Sequence, residues 1–199
     1  MENDKNVTQG TGQQNTGSQN TGRQTRWSAR QLAIMAIFIA LGALLGFIPI
    51  PILPAMPTIT YDPANVPAIL GGFVYGPGAG CIIGILSSLV HGLLVGDVIG
   101  TAMNMVAVVT FVIPAALILH KNKKSSVRLI VALVVGSLIS VACMIPANFI
   151  GWYLYSGVPF EVTVTWVLPI LLPFNLVKAL LNSVLSFILY KSLYKLLER

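Results

Sequence analysis

The chain has 199 residues, of which 55% are hydrophobic and only 9% are charged. A soluble domain usually carries about a quarter of its residues as charged side chains, so this composition excludes an ordinary water-solvated protein. The long, largely uncharged apolar runs predict an all-α integral membrane protein, and the net charge of +6 fits basic clusters beside an anionic lipid bilayer. No basic patch interleaved with aromatic residues points to nucleic acid.

Residues 1–26 are polar and loosely repeat Thr-Gly followed by Gln or Asn. Such a segment cannot bury enough apolar area to offset its chain entropy, so we expect a disordered low-complexity tail. The segment also lacks the apolar core of a secretory signal peptide. We expect residues 27–199 to form one membrane domain of six helices.

The first helix is expected from about Ser28 to Phe47, and a proline-rich extended loop follows it. Asp62-Pro63 suits a helix start, since aspartate is a good N-cap and proline fits the first helical position, so the second helix is expected at about 63–75. A tight glycine-rich turn at 76–80 leads into the third helix, which ends near Leu94. The other helices are expected at about 100–119, 129–150 and 165–190, with a basic loop at 120–128 and an aromatic, polar loop at 151–164.

The charges that flank these helices predict their orientation. With six helices, every basic cluster falls on one side, which the positive-inside rule assigns to the cytoplasm. Both termini are therefore expected there. Asp62, Asp97 and Glu161 fall in loops on the opposite side, which has no Lys or Arg. The basic clusters are Arg23, Arg26 and Arg30; Lys121, Lys123, Lys124 and Arg128; and Lys191, Lys195 and Arg199.

Lys178 is the only charged residue well inside a predicted span. A charge at that depth costs about 2.5 kcal/mol or more, so it needs a water-filled cavity, a partner or a ligand. Asn175, Lys178 and Asn182 are spaced i, i+3, i+7 and therefore share one helical face. Asn148 on the fifth helix and Asn104 on the fourth could add carboxamides. This set suits a neutral polar ligand with amide-like edges, although asparagines alone often serve as contacts between membrane helices.

Ser87 and His91 are four residues apart on the third helix, so a hydroxyl and an imidazole could touch. A serine-type membrane enzyme would also need an orienting acid and an oxyanion hole, and the sequence shows neither. This function is a remote alternative, and no catalytic residue is assigned. Cys81 and Cys143 lie singly in apolar runs, and no metal site or cofactor is expected.

Small residues recur along the first helix. Ala29 and Ala33, and again Ala36 and Ala40, are spaced by four residues and would form a smooth face for the close approach of another helix. From this pattern alone, packing within the chain and contact with a partner subunit are both open.

Together these features resemble one family, the substrate-binding S components of energy-coupling factor (ECF) vitamin transporters. The shared pattern is six helices, a proline-rich first outer loop, the segment Tyr61–Ala68 and the turn Tyr75–Gly80. Within that family, Pro173–Lys178 (PFNLVK) resembles the helix 6 motif of the riboflavin-binding members. The resemblance covers the chain from about Trp27 onward, and the N-terminal tail is not part of it.

The resemblance implies a six-transmembrane-helix bundle of the S-component type, with riboflavin as the transported ligand. It implies that Asn175, Lys178 and Asn148 contact the flavin ring, with Asn104, Tyr61 and Asp62 as secondary contacts. It also implies a coupling transmembrane subunit and two ATP-binding subunits as partners. An S component for another vitamin, such as folate, pantothenate or thiamine, is the alternative. The coupling subunit would dock on the alanine face formed by Ala29, Ala33, Ala36 and Ala40.

Overall fold

The computed structural model of the chain describes residues 27–52, 60–120, 123, 125–157 and 159–197. The tail at 1–26, which we expect to be disordered, lies outside these residues. The elements are α1 (Ala29–Leu45), β1 (Ile50–Pro51), β2 (Thr60–Tyr61), α2 (Val66–Tyr75), α3 (Pro77–Val95), α4 (Val98–His120), α5 (Ser126–Ser156), α6 (Phe160–Trp166), a π-helical turn (Val167–Leu171) and α7 (Leu172–Leu197). The two short strands pair antiparallel between α1 and α2.

The described residues form a six-helix bundle, as predicted, because α6, the π-helical turn and α7 are consecutive parts of one helical segment. Four stretches are long and apolar enough to cross a membrane, whereas α1 and α2 are shorter apolar helices. The chain is therefore an all-α membrane protein. The four long stretches are Pro77–Val95, Val98–His120, Ser126–Leu154 and Pro169–Ser192.

The helix α2 lies inside the bundle, and every residue from Val66 to Val74 is buried. Its 10 residues rise only about 15 Å, which is half of a hydrocarbon thickness of about 30 Å. The connection that precedes α2 supplies the missing depth, since Tyr61, Ala64 and Asn65 are also buried. Irregular backbone is tolerated at membrane depth only where protein or a cavity surrounds it.

The predicted start of the second helix at Asp62-Pro63 is wrong. The helix begins at Val66, with Asn65 as its N-cap residue. Asp62 instead stabilises a turn, because its Oδ1 accepts a hydrogen bond from the backbone N–H of Ala64 at 3.2 Å. Aspartate followed by proline favours such a turn as readily as a helix start, so the local sequence does not separate the two.

The loop predicted at 151–164 is mostly helical. The helix α5 continues to Ser156, and α6 begins at Phe160. Gly157 ends α5 in the left-handed conformation, with φ 61°, and its N–H donates to the carbonyl of Tyr153 at 3.0 Å. A glycine adopts this conformation without strain, so α5 can end at Gly157 only a few residues before α6 begins.

Basic residues lie at the end of the bundle where α2 and α7 finish. Lys123 Nζ donates to the carbonyl of Val74 at 2.7 Å, and the hydroxyl of Tyr190 donates to the carbonyl of Lys123 at 3.3 Å. A cation beside the last carbonyls of a helix is favourable because the helix dipole is negative there. Phe73 packs edge-on against Tyr190, with ring centroids 5.4 Å apart. These contacts hold Lys123 against the end of α2 and against α7.

The hairpin of α2 and α3 depends on the close approach of two glycines. A Cβ atom on Gly80 would lie 2.6 Å from Gly72 Cα and 2.7 Å from the carbonyl oxygen of Ala68. Gly80→Ala is therefore expected to lower the free energy of unfolding by about 1–3 kcal/mol, because the backbones must separate. Thermal unfolding of the detergent-purified protein, followed by size-exclusion chromatography, measures the loss. Gly78→Ala is the matched control, since nothing lies within 4 Å of its added Cβ; equal losses in the two variants would contradict the packing argument.

Candidate functional site

A cavity of about 670 Å³ lies at the end of the bundle opposite to Lys123 and Tyr190. Its size is within the usual range for small-molecule sites, about 300–1,000 Å³. The ends of α1, α3 and α5, the start of α4, the connection before α2 and the first turns of α7 form its wall. Among the residues predicted to contact a ligand, the structure brings to this cavity Asp62, Asn104, Asn148, Asn175 and Lys178.

Lys178 forms an ion pair with Asp62, and the Nζ–Oδ2 distance is 3.0 Å. The pair compensates a charge that would otherwise be costly inside a membrane bundle. The side chains of Lys178 and Asp62 keep 16% and 21% of their surface exposed, so a molecule in the cavity can reach both. An ammonium group has three N–H donors, and Asp62 takes one of them. Lys178 can therefore donate to a ligand while it stays paired.

Tyr61 is buried beside the ion pair and is not among the residues that line the cavity. Its hydroxyl donates to Asn182 Oδ1 at 3.0 Å. A tyrosine hydroxyl is protonated at neutral pH, so it is a donor here. Tyr61 and Asp62 thus fasten the connection before α2 to Asn182 and Lys178, which lie one turn apart on α7.

Asn175 lies just after the π-helical turn and one residue beyond Phe174. Its Nδ2 donates to the carbonyl of Leu171 at 2.8 Å. The π-helical turn and Pro173 both disturb regular backbone hydrogen bonding in this stretch, and the Asn175 amide supplements it. No described residue donates to Asn175 Oδ1. This oxygen is therefore available to accept a hydrogen bond from a ligand N–H.

Asn148 on α5 is only 4% exposed and lines the cavity. It forms no hydrogen bond with another described residue. Its carboxamide keeps access to the cavity, since Ser186 Oγ is the only fully buried side-chain polar atom without a partner among the described residues. Asn148 is therefore the residue on α5 with free groups for a polar ligand in this cavity.

Asn104 on α4 differs from Asn148 because other residues of the chain use both of its polar atoms. Its Oδ1 accepts from Asn65 Nδ2 at 3.1 Å, and its Nδ2 donates to Ser88 Oγ at 2.9 Å. This chain of hydrogen bonds ties the start of α2 to α4 and α3. Asn104 therefore holds the wall of the cavity in place, although it also lines the cavity.

Apolar side chains form much of the remaining wall, a property of sites for flat ligands with few polar groups. Phe174 belongs to the motif at 173–178, but the other apolar lining residues could not be identified from sequence, since methionines and aromatic residues in apolar helices carry no distinguishing pattern. Asp97 at the start of α4 was likewise assigned only to a loop. The main apolar lining residues are Phe47, Ile99, Met103, Met144, Trp152, Leu171 and Phe174.

Ser87 and His91 both line the cavity but do not form the pair that an enzyme would need. The Ser87 hydroxyl donates to the carbonyl of Gly84 at 3.1 Å. The His91 ring packs edge-on against Phe47, with centroids 4.7 Å apart. A serine without a hydrogen-bonded base is a weak nucleophile, so the geometry gives no support to the serine-type enzyme.

The alanine face of α1 lies on the outside of the bundle. Ala29, Ala33, Ala36 and Ala40 are all exposed. The opposite face of α1 supplies most of the inward contacts and buries Met35, Phe38 and Gly42. Ala43, one turn beyond Ala40, is also buried. These four alanines therefore do not pack within the described part of the chain, and the face they form is accessible to lipid or to a partner.

Comparison with known proteins agrees with this architecture. A family model described as "ECF transporter, substrate-specific component" matches residues 30–190. The riboflavin transporter RibU of Staphylococcus aureus (strain TCH60) is 29% identical over 179 residues, which cover 85% of this chain and 93% of the relative. The riboflavin transporter FmnP of Bacillus subtilis (strain 168) is 25% identical over 182 residues, which cover 85% of this chain and 95% of that protein. A solved structure of the S component of a bacterial ECF transporter has a TM-score of 0.71 at 29% identity, and covers 85% of this chain and 98% of that chain.

Proposed function

Since the chain belongs to the family of ECF transporter substrate-specific components, we propose that it captures riboflavin with high affinity for ATP-driven uptake into a bacterial cell. The observation that carries this proposal is the grouping of Asn148, Asn175 and Lys178 at one apolar-walled cavity. The names of two relatives as riboflavin transporters support the same ligand.

The free polar atoms of the cavity match the edge of the flavin ring, which presents a carbonyl, an N–H and a second carbonyl in series. Lys178 can donate to a carbonyl, and Asn175 Oδ1 can accept from the N–H. Asn148 can donate and accept at once. The apolar ring faces would lie against the hydrophobic wall. In this proposal riboflavin is the transported ligand and not a redox cofactor of the protein.

The orientation that we propose puts the cavity on the outside of the cell. The described basic residues Lys123 and Lys191 lie near the opposite end of the bundle from Asp97 and Glu161. By the positive-inside rule, the basic end faces the cytoplasm, so both termini would lie there. Riboflavin would then enter from outside, between the connection before α2 and the turn between α5 and α6.

The partners that we propose are an ECF coupling transmembrane subunit and two ATP-binding subunits. The chain contains no phosphate-binding loop of its own, so the energy for import would come from the ATP-binding subunits. The exposed alanine face on α1 is the docking surface for the coupling subunit, because small residues let two helices approach closely in a membrane.

The full-length chain, purified in detergent, should carry or take up one riboflavin per protein. Bound flavin should make the sample yellow, and titration should quench riboflavin fluorescence as the ring leaves water for the cavity. Mass spectrometry of the ligand released by denaturation identifies it independently. If the protein is colourless, does not quench riboflavin fluorescence and releases folate, pantothenate or thiamine, then that vitamin, and not riboflavin, is its ligand.

A further inference from the structure

The charges around the cavity are few and do not cancel. Lys178, Asp62, Asp97 and His91 are the titratable groups among the described residues that line it, and no arginine is present there. Residues 53–59 and 158, which lie outside the described residues, contain no charged residue in the sequence. Because Lys178 and Asp62 form an ion pair, they contribute little net charge. The cavity is left with the carboxylate of Asp97, which forms no ion pair with a described residue.

Asp97 lies where an anion would otherwise bind. It precedes α4, and Ile99, Gly100 and Thr101 in the first turn of that helix line the cavity. Free N–H groups and the positive end of a helix dipole attract anions such as phosphate. Here Asp97 Oδ1 accepts from Gly100 N at 2.8 Å. The protein's own carboxylate therefore occupies the start of α4 at the cavity.

The position of Asp97 relative to the polar groups gives it a selective effect. Asp97 is exposed at the turn between α3 and α4, whereas Asn148 is buried and the Lys178 side chain keeps only 16% of its surface exposed. If the polar edge of the flavin ring binds Asn148, Asn175 and Lys178, the rest of the ligand extends toward the side that carries Asp97. A phosphate group carries a charge of about −1.5 to −2 at pH 7. It would meet a like charge there and no unpaired cation.

We propose that Asp97 is a specificity-determining residue that disfavours phosphorylated flavins, so that the site selects riboflavin over riboflavin 5′-phosphate. The inference rests on the proposed function. Like charges placed together on binding lower affinity and suppress the wrong ligand. Asp97 acts both by repelling the phosphate and by occupying the Gly100 N–H, which could otherwise have bound it.

The experiment measures the dissociation constants of riboflavin and riboflavin 5′-phosphate for the full-length purified chain by flavin fluorescence quenching. At low ionic strength, the wild type should bind riboflavin at least about ten-fold more tightly than its 5′-phosphate. In Asp97→Asn, the dissociation constant of riboflavin 5′-phosphate divided by that of riboflavin should fall by about five- to ten-fold, because the negative charge of Asp97 is gone. High salt should narrow the ratio in the wild type, because Asp97 is exposed and its charge is screened.

Three further variants, Asp97→Ser, Asp97→Glu and Glu161→Gln, are compared with Asp97→Asn to separate the effect of charge from the effect of structure. Asp97→Asn and Asp97→Ser both keep a side-chain acceptor for the start of α4, so both should lower the ratio without unfolding the helix. Asp97→Glu keeps the charge and should keep most of the ratio. Glu161→Gln removes an exposed charge on α6 that does not line the cavity, and should leave the ratio unchanged.

Two different results would contradict the inference. Tight riboflavin binding with a ratio near one in the wild type, or with the same ratio in Asp97→Asn, would overturn the assignment of Asp97 and leave the proposed function intact. A wild type that binds neither flavin, while releasing another vitamin on denaturation, would overturn the proposed function and the inference with it.

Discussion

Lys178→Met is expected to weaken riboflavin binding by at least about 30-fold, since losing a charged group that donates to a ligand in a desolvated site costs about 2–5 kcal/mol. The substitution keeps an unbranched side chain but removes the donors that we assign to a flavin carbonyl. It also leaves Asp62 without its counter-ion at 3.0 Å. Fluorescence quenching by the purified variant measures the loss, and size-exclusion chromatography checks that the variant still folds.

The double variant Asp62→Asn/Lys178→Met separates ligand contact from charge compensation. If Lys178 only neutralises Asp62, then removing both charges should restore riboflavin binding. If Lys178 donates to the ligand, the double variant should bind as weakly as Lys178→Met. Lys191→Met is the matched control, because Lys191 lies on the same helix over the Phe187 ring and outside the cavity; it should bind riboflavin like the wild type. Restored binding in the double variant would contradict the contact that we propose.

The isolated charge of Lys178 could be identified from sequence, but its partner could not. Periodicity places Asn175 and Lys178 on one face because both belong to one helix. Asp62 is 116 positions away in a segment whose local pattern equally suits a helix start. Its pairing with Lys178 arises only when the connection before α2 enters the bundle, which is a property of the packed structure.

The asparagines also show which features the sequence predicts and which only the packed structure reveals. Sequence spacing grouped Asn182 with Asn175 and Lys178, yet Asn182 accepts from Tyr61, while Asn175 and Lys178 line the cavity of about 670 Å³. Asn104 and Asn148 were equivalent as residue types, and only the structure shows that Asn104 is hydrogen-bonded on both sides. Hydrogen-bond partners on other helices decide whether an amide is structural or free, and one helix's sequence does not contain them.

The predicted helix boundaries were wrong where the same residues are compatible with either a helix or a turn. Six helices followed from long apolar runs and from the requirement that basic clusters share one side. Aromatic and polar residues at 151–164 suggested a loop, whereas the structure continues α5 to Ser156 and turns at Gly157. Helices can extend beyond the hydrocarbon region, where aromatic and polar side chains are favourable, so polarity did not mark the helix end.

Ala36→Trp is expected to reduce riboflavin uptake by at least about ten-fold, which requires a loss of about 1.4 kcal/mol or more in docking free energy. Ala36 is exposed on α1, between Ala33 and Ala40 along one face, and Trp there would hold a partner helix away. Binding of riboflavin to the purified chain should not change, because Ala36 does not line the cavity. Uptake of labelled riboflavin into cells that co-express the coupling and ATP-binding subunits measures transport, and co-purification of those subunits measures docking.

Ala142→Trp supplies the comparison that distinguishes docking from a general effect of bulk on the lipid-facing surface. Ala142 is likewise a small, exposed residue, but it lies on α5. If the alanine face of α1 docks the coupling subunit, Ala36→Trp should lose both uptake and co-purification while Ala142→Trp keeps both. Equal losses in the two variants would mean that added bulk disturbs the bundle, and full uptake by Ala36→Trp would place the docking surface elsewhere. If only Ala36→Trp loses uptake, riboflavin capture and riboflavin transport depend on separate surfaces of the bundle. The cavity at one end would bind the ligand, and the alanine face along the side of α1 would dock the coupling subunit.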